Sequence, residues 1–347
     1  MQGSGAVPLI YPFEGEPATG DGSAVTIADG ALWLRMPLFA ALPWINVWAL
    51  EDGDGWTLVD TGLKSPGSID AWQAAFAGVL NRAPVKRVLV THMHPDHCGM
   101  AGWIAERFAA PLWMTRLEYL SCRLMAADTG RTAPAEAVGF YRGAGWDDAA
   151  IERYKTKFGF FGEMIHPLPD AYRRIADREV IRVGRRDWHV VVGSGHSPEH
   201  ACLYDPEAKL LISGDQVLPR ITSNVSVYPT EPDADPLADW LGSLADIKRR
   251  VPDDVLVLPA HNSPFRGLHA RLDTLMETHR VHLAQVEQLL REPKRAVDVF
   301  GALFSRRIDA GVLGMATGEA VAHLNHLLHA GRARRERDDD GVWWWRR

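Results

Sequence analysis

A mixed α/β (α+β) fold is what this sequence predicts, on three observations. β-like text gathers in two stretches, about residues 24–62 and 179–213. Segments of helical period separate and follow them. The chain has 347 residues, 46% apolar and 24% charged, a balance that excludes disorder of the whole chain and fits one large domain or two ordinary ones.

Taken in order, residues 1–22 are rich in Gly, Pro and Ala and are expected to be loosely ordered. Leu32–Met36 and Ile45–Leu50 read as strands. Glu51-Asp52-Gly53-Asp54-Gly55 is a turn signal that returns the chain as Trp56–Val59. Ile69–Leu80 has helical spacing, and Val85–Val90 reads as a short strand buried on both faces. A helix is expected over His97–Phe108 and a short strand over Pro111–Met114. Thr115–Phe161 reads as several short helices broken by Gly130, Gly143, Gly145 and Gly159, and it is rich in aromatics. Strands resume at Glu179–Val183, Trp188–Val192, Ala201–Tyr204, Leu210–Ser213 and Val255–Pro259. Helices are expected over Leu237–Arg250 and Leu268–Arg291.

The net charge of -6 argues against a protein built mainly to coat nucleic acid. The most apolar stretch, Ala31–Leu50, is broken by Arg35, Pro37, Pro43 and Asn46, so it reads as strands and turns and not as a membrane helix. Met1–Gly20 lacks the basic start and apolar centre of a signal peptide. Cys98, Cys122 and Cys202 lie far apart, a sparse odd set that suits a reducing compartment. A cytoplasmic location without membrane attachment is the expectation.

Thr91-His92-Met93-His94-Pro95-Asp96-His97 carries the chemistry. In an extended loop His92 and His94 point the same way, and the turn at Pro95 presents Asp96 and His97 from the start of a helix. Three imidazoles and a carboxylate converging there suit zinc, with iron or manganese as alternatives.

An HxHxDH motif at the end of a strand resembles the metallo-β-lactamase superfamily of hydrolases. Four further motifs stand in the family's order: Leu58-Val59-Asp60-Thr61-Gly62, Gly195-His196-Ser197-Pro198-Glu199-His200, Ser213-Gly214-Asp215 and Pro259-Ala260-His261. The resemblance covers about residues 24–265. It implies a four-layer αββα sandwich with metals at one sheet edge. It also implies two zinc ions per chain. His92, His94 and His196 would hold the first, Asp96, His97 and His261 the second, and Asp215 would bridge them. Asp60 would orient the ligand loop without binding metal. Catalysis would use a metal-bridging hydroxide, with Asp96 as the residue that orients it and shuttles its proton.

Departures from the family narrow the choice. Asp215 stands where true β-lactamases tend to have cysteine or no bridging aspartate. His94 is not the glutamate of the flavodiiron relatives. Leu218 replaces the tyrosine that acyl-homoserine lactonases tend to carry three residues past the bridging aspartate. Asn224 and Tyr228 are substrate-pocket candidates. His200 is read as a supporting residue and Cys98 as a packing residue. His166, His189, His269, His279, His282, His323, His326 and His329 are read as structural.

The Thr115–Phe161 insert either forms an apolar lid over the cleft or packs its aromatics on itself or into a dimer contact. The division expected is a catalytic domain over 23–280 and a C-terminal unit over 281–347. That unit resembles the winged-helix-like domain of β-lactamase-like hydrolases. It would have a helix over Arg295–Arg307, a second over Gly318–Ala330 capped by Thr317, and a hairpin turning at Asp338–Gly341. Its arginines stand beside Trp343, Trp344 and Trp345, a pairing that can bind single strands. From His279 onward, however, twelve Lys and Arg face nine Asp and Glu, and terminal Trp side chains more simply pack onto the domain. The function expected is hydrolysis of a small ester, lactone or thioester. The alternative is a nuclease or phosphodiesterase acting on RNA or DNA, and a homodimer is a further expectation.

Overall fold

Alternation along the strands sorts the side chains into layers in the computed structural model, which describes residues 8–39 and 42–347. The first sheet holds β1 (Val25–Ala28), β2 (Ala31–Pro37), β3 (Trp44–Asp52) and β4 (Gly55–Val59) as an antiparallel meander. Helix α1 (Pro66–Ala77) crosses over to β5 (Val85–Leu89), which pairs parallel with β4. After α2 (Pro95–Cys98) and α3 (Ala101–Phe108), β6 (Leu112–Met114) adds a further parallel strand. The insert follows as α4 (Arg116–Ala127), α5 (Ala135–Gly143), α6 (Asp148–Lys157) and a 3₁₀ turn at Phe160–Met164. The short β7 (Arg173–Arg174) then closes the seven-stranded sheet.

The second sheet is built from β8 (Val180–Val183), β9 (Arg186–Gly193), β10 (His200–Asp205) and β11 (Leu210–Gly214). Helix α7 (Pro236–Arg250) leads to β12 (Leu256–Pro259), which lies parallel to β11. The chain ends with α8 (Leu268–Leu289), a 3₁₀ turn at Ala296–Val299, α9 (Phe300–Leu303), α10 (Leu313–His329) and the hairpin β13 (Arg334–Arg337) and β14 (Trp343–Arg346).

Neighbouring residues in one strand serve different layers, because strand side chains alternate in direction. Trp33 packs between the sheets with Trp48, Val59, Leu89, Trp188, Val190 and Leu258. The next residue, Leu34, packs outward with Trp72, Phe76 and Ile104 under α1 and α3. On the second sheet, Val190 faces the sheet interface while Val191 faces Leu237, Trp240 and Leu244 of α7. The result is helix, sheet, sheet, helix, the αββα sandwich expected. Among the described residues no helix is long and apolar enough to cross a membrane.

Several local readings are corrected. Residues 1–7 lie outside the described residues, but from there on the N-terminal stretch is tied down: Ile10 bridges Arg266, and Glu16 pairs with the buried Arg35. β5 is not buried along its whole length. Arg87 is partly exposed because its guanidinium reaches Asp52 (2.8 Å) and lies over Trp113. The helix expected over Arg295–Arg307 is two short turns, since Lys294 is held in a β-bridge to Trp345 and the chain is extended again at Phe304. Thr317 is no cap. It lies inside α10, where its hydroxyl donates to Leu313 O and accepts from Trp146 Nε1.

The insert's aromatics are engaged in packing. Tyr141 stacks on Trp146 and meets Tyr154, while Phe140 packs edge-on against Trp343 of the terminal hairpin. This ties α5 and α6 to the C-terminal elements, which share one apolar cluster with α7 and the second sheet.

Candidate metal centre

Both sheets deliver their loops to one edge. Past the end of β5, the chain runs extended through His94 (φ -61°, ψ 144°), and Pro95 then opens α2. Proline suits the first helical position, where its fixed φ is already helical and no N–H is needed. His92 and His94 therefore come from the loop, and Asp96 and His97 from the helix start. The parallel strands β11 and β12 end at the same edge and release Asp215 and His261. His196 enters from the loop before β10. Gly195 takes φ +103° there, and a Cβ on it would meet the Trp240 Cβ at 2.5 Å. Gly214 is equally constrained, with φ +49° and the His200 ring 2.6 Å from where a Cβ would stand.

The side chains converge as two groups sharing one carboxylate. His92, His94 and His196 form the first group, and Asp96, His97 and His261 the second. His92, His97 and Asp215 link them. His92 Nε2 lies 2.9 Å from His94 Nδ1 and 3.3 Å from His196 Nε2. His261 Nε2 lies 3.3 Å from Asp96 Oδ2, and His97 Nε2 lies 3.7 Å from the same oxygen. Asp215 turns one oxygen to each side: Oδ2 lies 3.5 Å from His196 Nε2, and Oδ1 lies 3.6 Å from His97 Nε2 and 3.5 Å from His261 Nε2. Ligand atoms about 2.05 Å from one tetrahedral zinc lie about 3.3 Å from each other. The observed separations run from 2.9 to 3.5 Å on the His92 side and from 3.3 to 3.7 Å on the His97 side, close to that value. His97 Nε2 and Asp215 Oδ1 are buried without a hydrogen-bond partner among the described residues, the state of donor atoms that await a metal.

Four of the five imidazoles are oriented from behind. Asp60 sits at φ 60° and accepts from Thr91 N and Thr91 Oγ1, both at 2.8 Å. Its Oδ2 also lies 2.8 Å from His97 Nδ1, which fixes the tautomer with Nε2 toward the cleft. With its own proton given to Asp60, the Thr91 hydroxyl accepts from His92 Nδ1 at 3.1 Å. His196 Nδ1 donates to Asn224 O (2.7 Å) and His261 Nδ1 to Trp44 O (3.3 Å).

The charges follow from this packing. Burial and the neighbouring His97 and His94 hold His92 well below the ordinary imidazole range, so it stays neutral. Burial and His196 bring His94 to about 3. Burial alone would raise the Asp96 carboxyl, but His97 and His261 hold it at about 2. Burial likewise opposes charge on His97, yet Asp96, Asp60 and Asp215 raise it well above the ordinary value. Protons thus stand in for cations in a cleft built around three carboxylates.

The remaining candidates separate. Asn224 is a support. Besides its carbonyl on His196, its Nδ2 donates to Glu319 Oε2 (2.9 Å) on α10. Tyr228 is 42% exposed, and its hydroxyl makes no hydrogen bond among the described residues. His200 stacks on His92 and accepts from Asp215 N at 3.1 Å, a supporting place outside the three ligand groups. Cys98 is buried and packs beside Cys122.

Sequence reasoning missed Glu118. This buried carboxylate accepts from Met93 N and Glu199 N, both at 2.8 Å, and so joins the two histidine loops from α4. No local motif marks it. It also missed a second histidine group, His279, His282 and His323, on α8 and α10.

Known proteins resemble this chain in sequence and fold. A family model described as the metallo-beta-lactamase superfamily matches residues 45–261, and one for the metallo-beta-lactamase-like C-terminal domain matches residues 283–347. A probable metallo-hydrolase of Bacillus subtilis (strain 168) is 22% identical over 315 residues, covering 86% of this chain and 92% of its own. A beta-lactamase domain protein from Burkholderia ambifaria superposes with TM-score 0.89 at 39% identity, covering 98% of each chain. A metallo-beta-lactamase family protein from Thermus thermophilus superposes with TM-score 0.78 at 26% identity, covering 93% of this chain and 100% of its own.

Proposed function

The chain belongs to the metallo-beta-lactamase superfamily and is a metallo-hydrolase of it, and on that footing we propose that it holds two zinc ions and cleaves a small ester, lactone or thioester. The observation that carries the dinuclear reading is Asp215, whose two oxygens are divided between the two ligand groups. His92, His94 and His196 would hold one ion and Asp96, His97 and His261 the other, with an Asp215 oxygen turned to each group. Two such ions, when bound, would supply a hydroxide nucleophile near neutral pH and polarise the substrate oxygen.

The residues do the rest. Asp60, Thr91, Asn224 and Trp44 fix the tautomers of His97, His92, His196 and His261, so four of the five ligand imidazoles are already aimed. Asp96 is the most exposed carboxylate of the set, at 27%, and is ionised at neutral pH. It accepts a hydrogen bond from the nucleophile and passes the proton to the leaving group.

The nuclease alternative draws little support from the C-terminal arginines, because many are engaged within the chain. Arg332 pairs with Glu287, Arg335 with Asp233 (2.7 Å) and Arg346 with Glu336. Arg335 also lies over Trp343 and Trp345, and Trp345 is buried.

A panel of lactones, thioesters, esters, phosphodiesters and short RNA tests the reading on the full-length protein. Turnover of an acyl substrate is expected, reduced by roughly 10²-fold or more in Asp96→Ala. Turnover confined to phosphodiesters or RNA would overturn it.

A further inference from the structure

Three histidines meet outside the cleft's ligand groups, in the helical layer against the second sheet. His279 and His282 stand three residues apart on α8, and so share one face of that helix. His323 comes from α10. The ring centroids lie 5.3 Å (His279 to His323), 6.0 Å (His282 to His323) and 6.3 Å (His279 to His282) apart. One nitrogen from each ring falls within 4.8 Å of the other two.

The hydrogen bonds determine which nitrogens are available. His323 Nδ1 donates to Glu319 O at 2.8 Å, so its Nε2 carries a lone pair, which accepts a hydrogen bond from His279 Nδ1 at 3.2 Å that an ion would displace. His279 Nε2 and His282 Nδ1 are buried with no hydrogen-bond partner among the described residues. His279 and His323 are 1% and 0% exposed, so bulk water does not satisfy them, whereas His282 is only half-buried and leaves one side open. Buried imidazole nitrogens without a partner are rare in a folded interior, because each loses its water without replacement.

We propose that His279, His282 and His323 form a further metal site, a three-imidazole clamp between α8 and α10 for a zinc-class divalent ion. Three neutral nitrogen donors without a carboxylate select Zn²⁺, Cu²⁺ or Ni²⁺ over Ca²⁺ or Mg²⁺, which require oxygen ligands. The half-buried side at His282 leaves the fourth position to water or a small anion. The three nitrogens lie within 4.8 Å of one another, and His282, the ring with room to move, can bring them to the roughly 3.3 Å of a tetrahedral zinc site. Burial keeps the donors free of protons: His279 is lowered to about 4 and His323 to about 3. The neighbouring His326 is already committed to Asp235, 3.1 Å away. An ion here would staple α10 to α8. Because Glu319 on α10 holds Asn224, the staple would fix the element that braces His196.

The test reads binding and not turnover, so it stands whether or not the cleft hydrolyses any substrate. Full-length protein stripped of metal is dialysed against buffered Zn²⁺, and zinc per chain is counted for the wild type, His282→Gln and His279→Gln. The wild type is expected to retain one equivalent more than either variant, and zinc is expected to raise its thermal midpoint above that of His282→Gln. His282 is half-buried, so its variant keeps the test decisive if His279→Gln fails to fold. Equal zinc content in the wild type and a folded His282→Gln, with equal thermal midpoints, would overturn the proposal.

Discussion

The cleft and the α8–α10 cluster are both built from histidines, yet they handle charge in opposite ways. In the cleft, Asp60, Asp96 and Asp215 surround the imidazoles, and His97 and His261 are raised although burial opposes it. Between α8 and α10 no carboxylate among the described residues joins the triad, and His279 and His323 are lowered by burial. The cleft is thus a site of mixed charge in which a divalent ion replaces protons, while the helix cluster is neutral. The difference teaches that histidine number alone does not define a reactive site. What distinguishes the cleft is carboxylates that are buried, held and shared.

Removing the shared carboxylate should make the cleft behave more like the helix cluster. Asp215→Asn is expected to lose one ion from the cleft and to lower turnover by at least roughly 10²-fold, more than the loss of any outer partner. Metal counting and kinetics on the folded variant check this; an unchanged cleft would remove the basis of the comparison. Asp60→Asn is the next step down. It keeps every ligand but weakens the acceptor behind His97, so a loss of metal affinity of roughly 10- to 100-fold is expected, read by chelator competition.

The smallest effect is on stability and comes from Glu319, which lies along the path between the two regions. Burial raises its carboxyl to about 7 from 4.5, despite the bond from Asn224. The folded state therefore holds this proton more tightly than the unfolded chain does. Its contribution is full below pH 4.5 and declines as pH rises toward 7, on the order of 3 kcal/mol across that window. Glu319→Gln is expected to flatten that part of the stability profile in denaturant titrations at several pH values. An unaltered slope would show that Glu319 is ionised in the fold.

What the sequence discloses depends on how far apart the interacting residues lie. His92, His94, Asp96 and His97 fall within one strand-to-helix turn, so their convergence is a local matter and legible. Asp60, His196, Asp215 and His261 are legible only because each sits in a short motif of a family with a fixed order. Glu118 has no such motif, and its role depends on α4 passing behind two loops. His279 and His282 lie on one helix and His323 on another, so only the packing of α8 on α10 reveals the triad. Thr317 misleads for a related reason: a threonine can cap a helix or bond back to the preceding turn, and the partner at Leu313 decides which. The αββα order follows from the resemblance, whereas the segment at 295–307 departs from its helical pattern because its conformation is set by a distant strand, through the bridge of Lys294 to Trp345.

Diffraction from crystals of the full-length protein, collected at the zinc absorption edge, bears most directly on the dinuclear cleft. Two anomalous peaks about 3.5 Å apart, one beside each Asp215 carboxylate oxygen, are expected. A single peak, or none within reach of Asp215 in zinc-replete crystals, would contradict the dinuclear assignment.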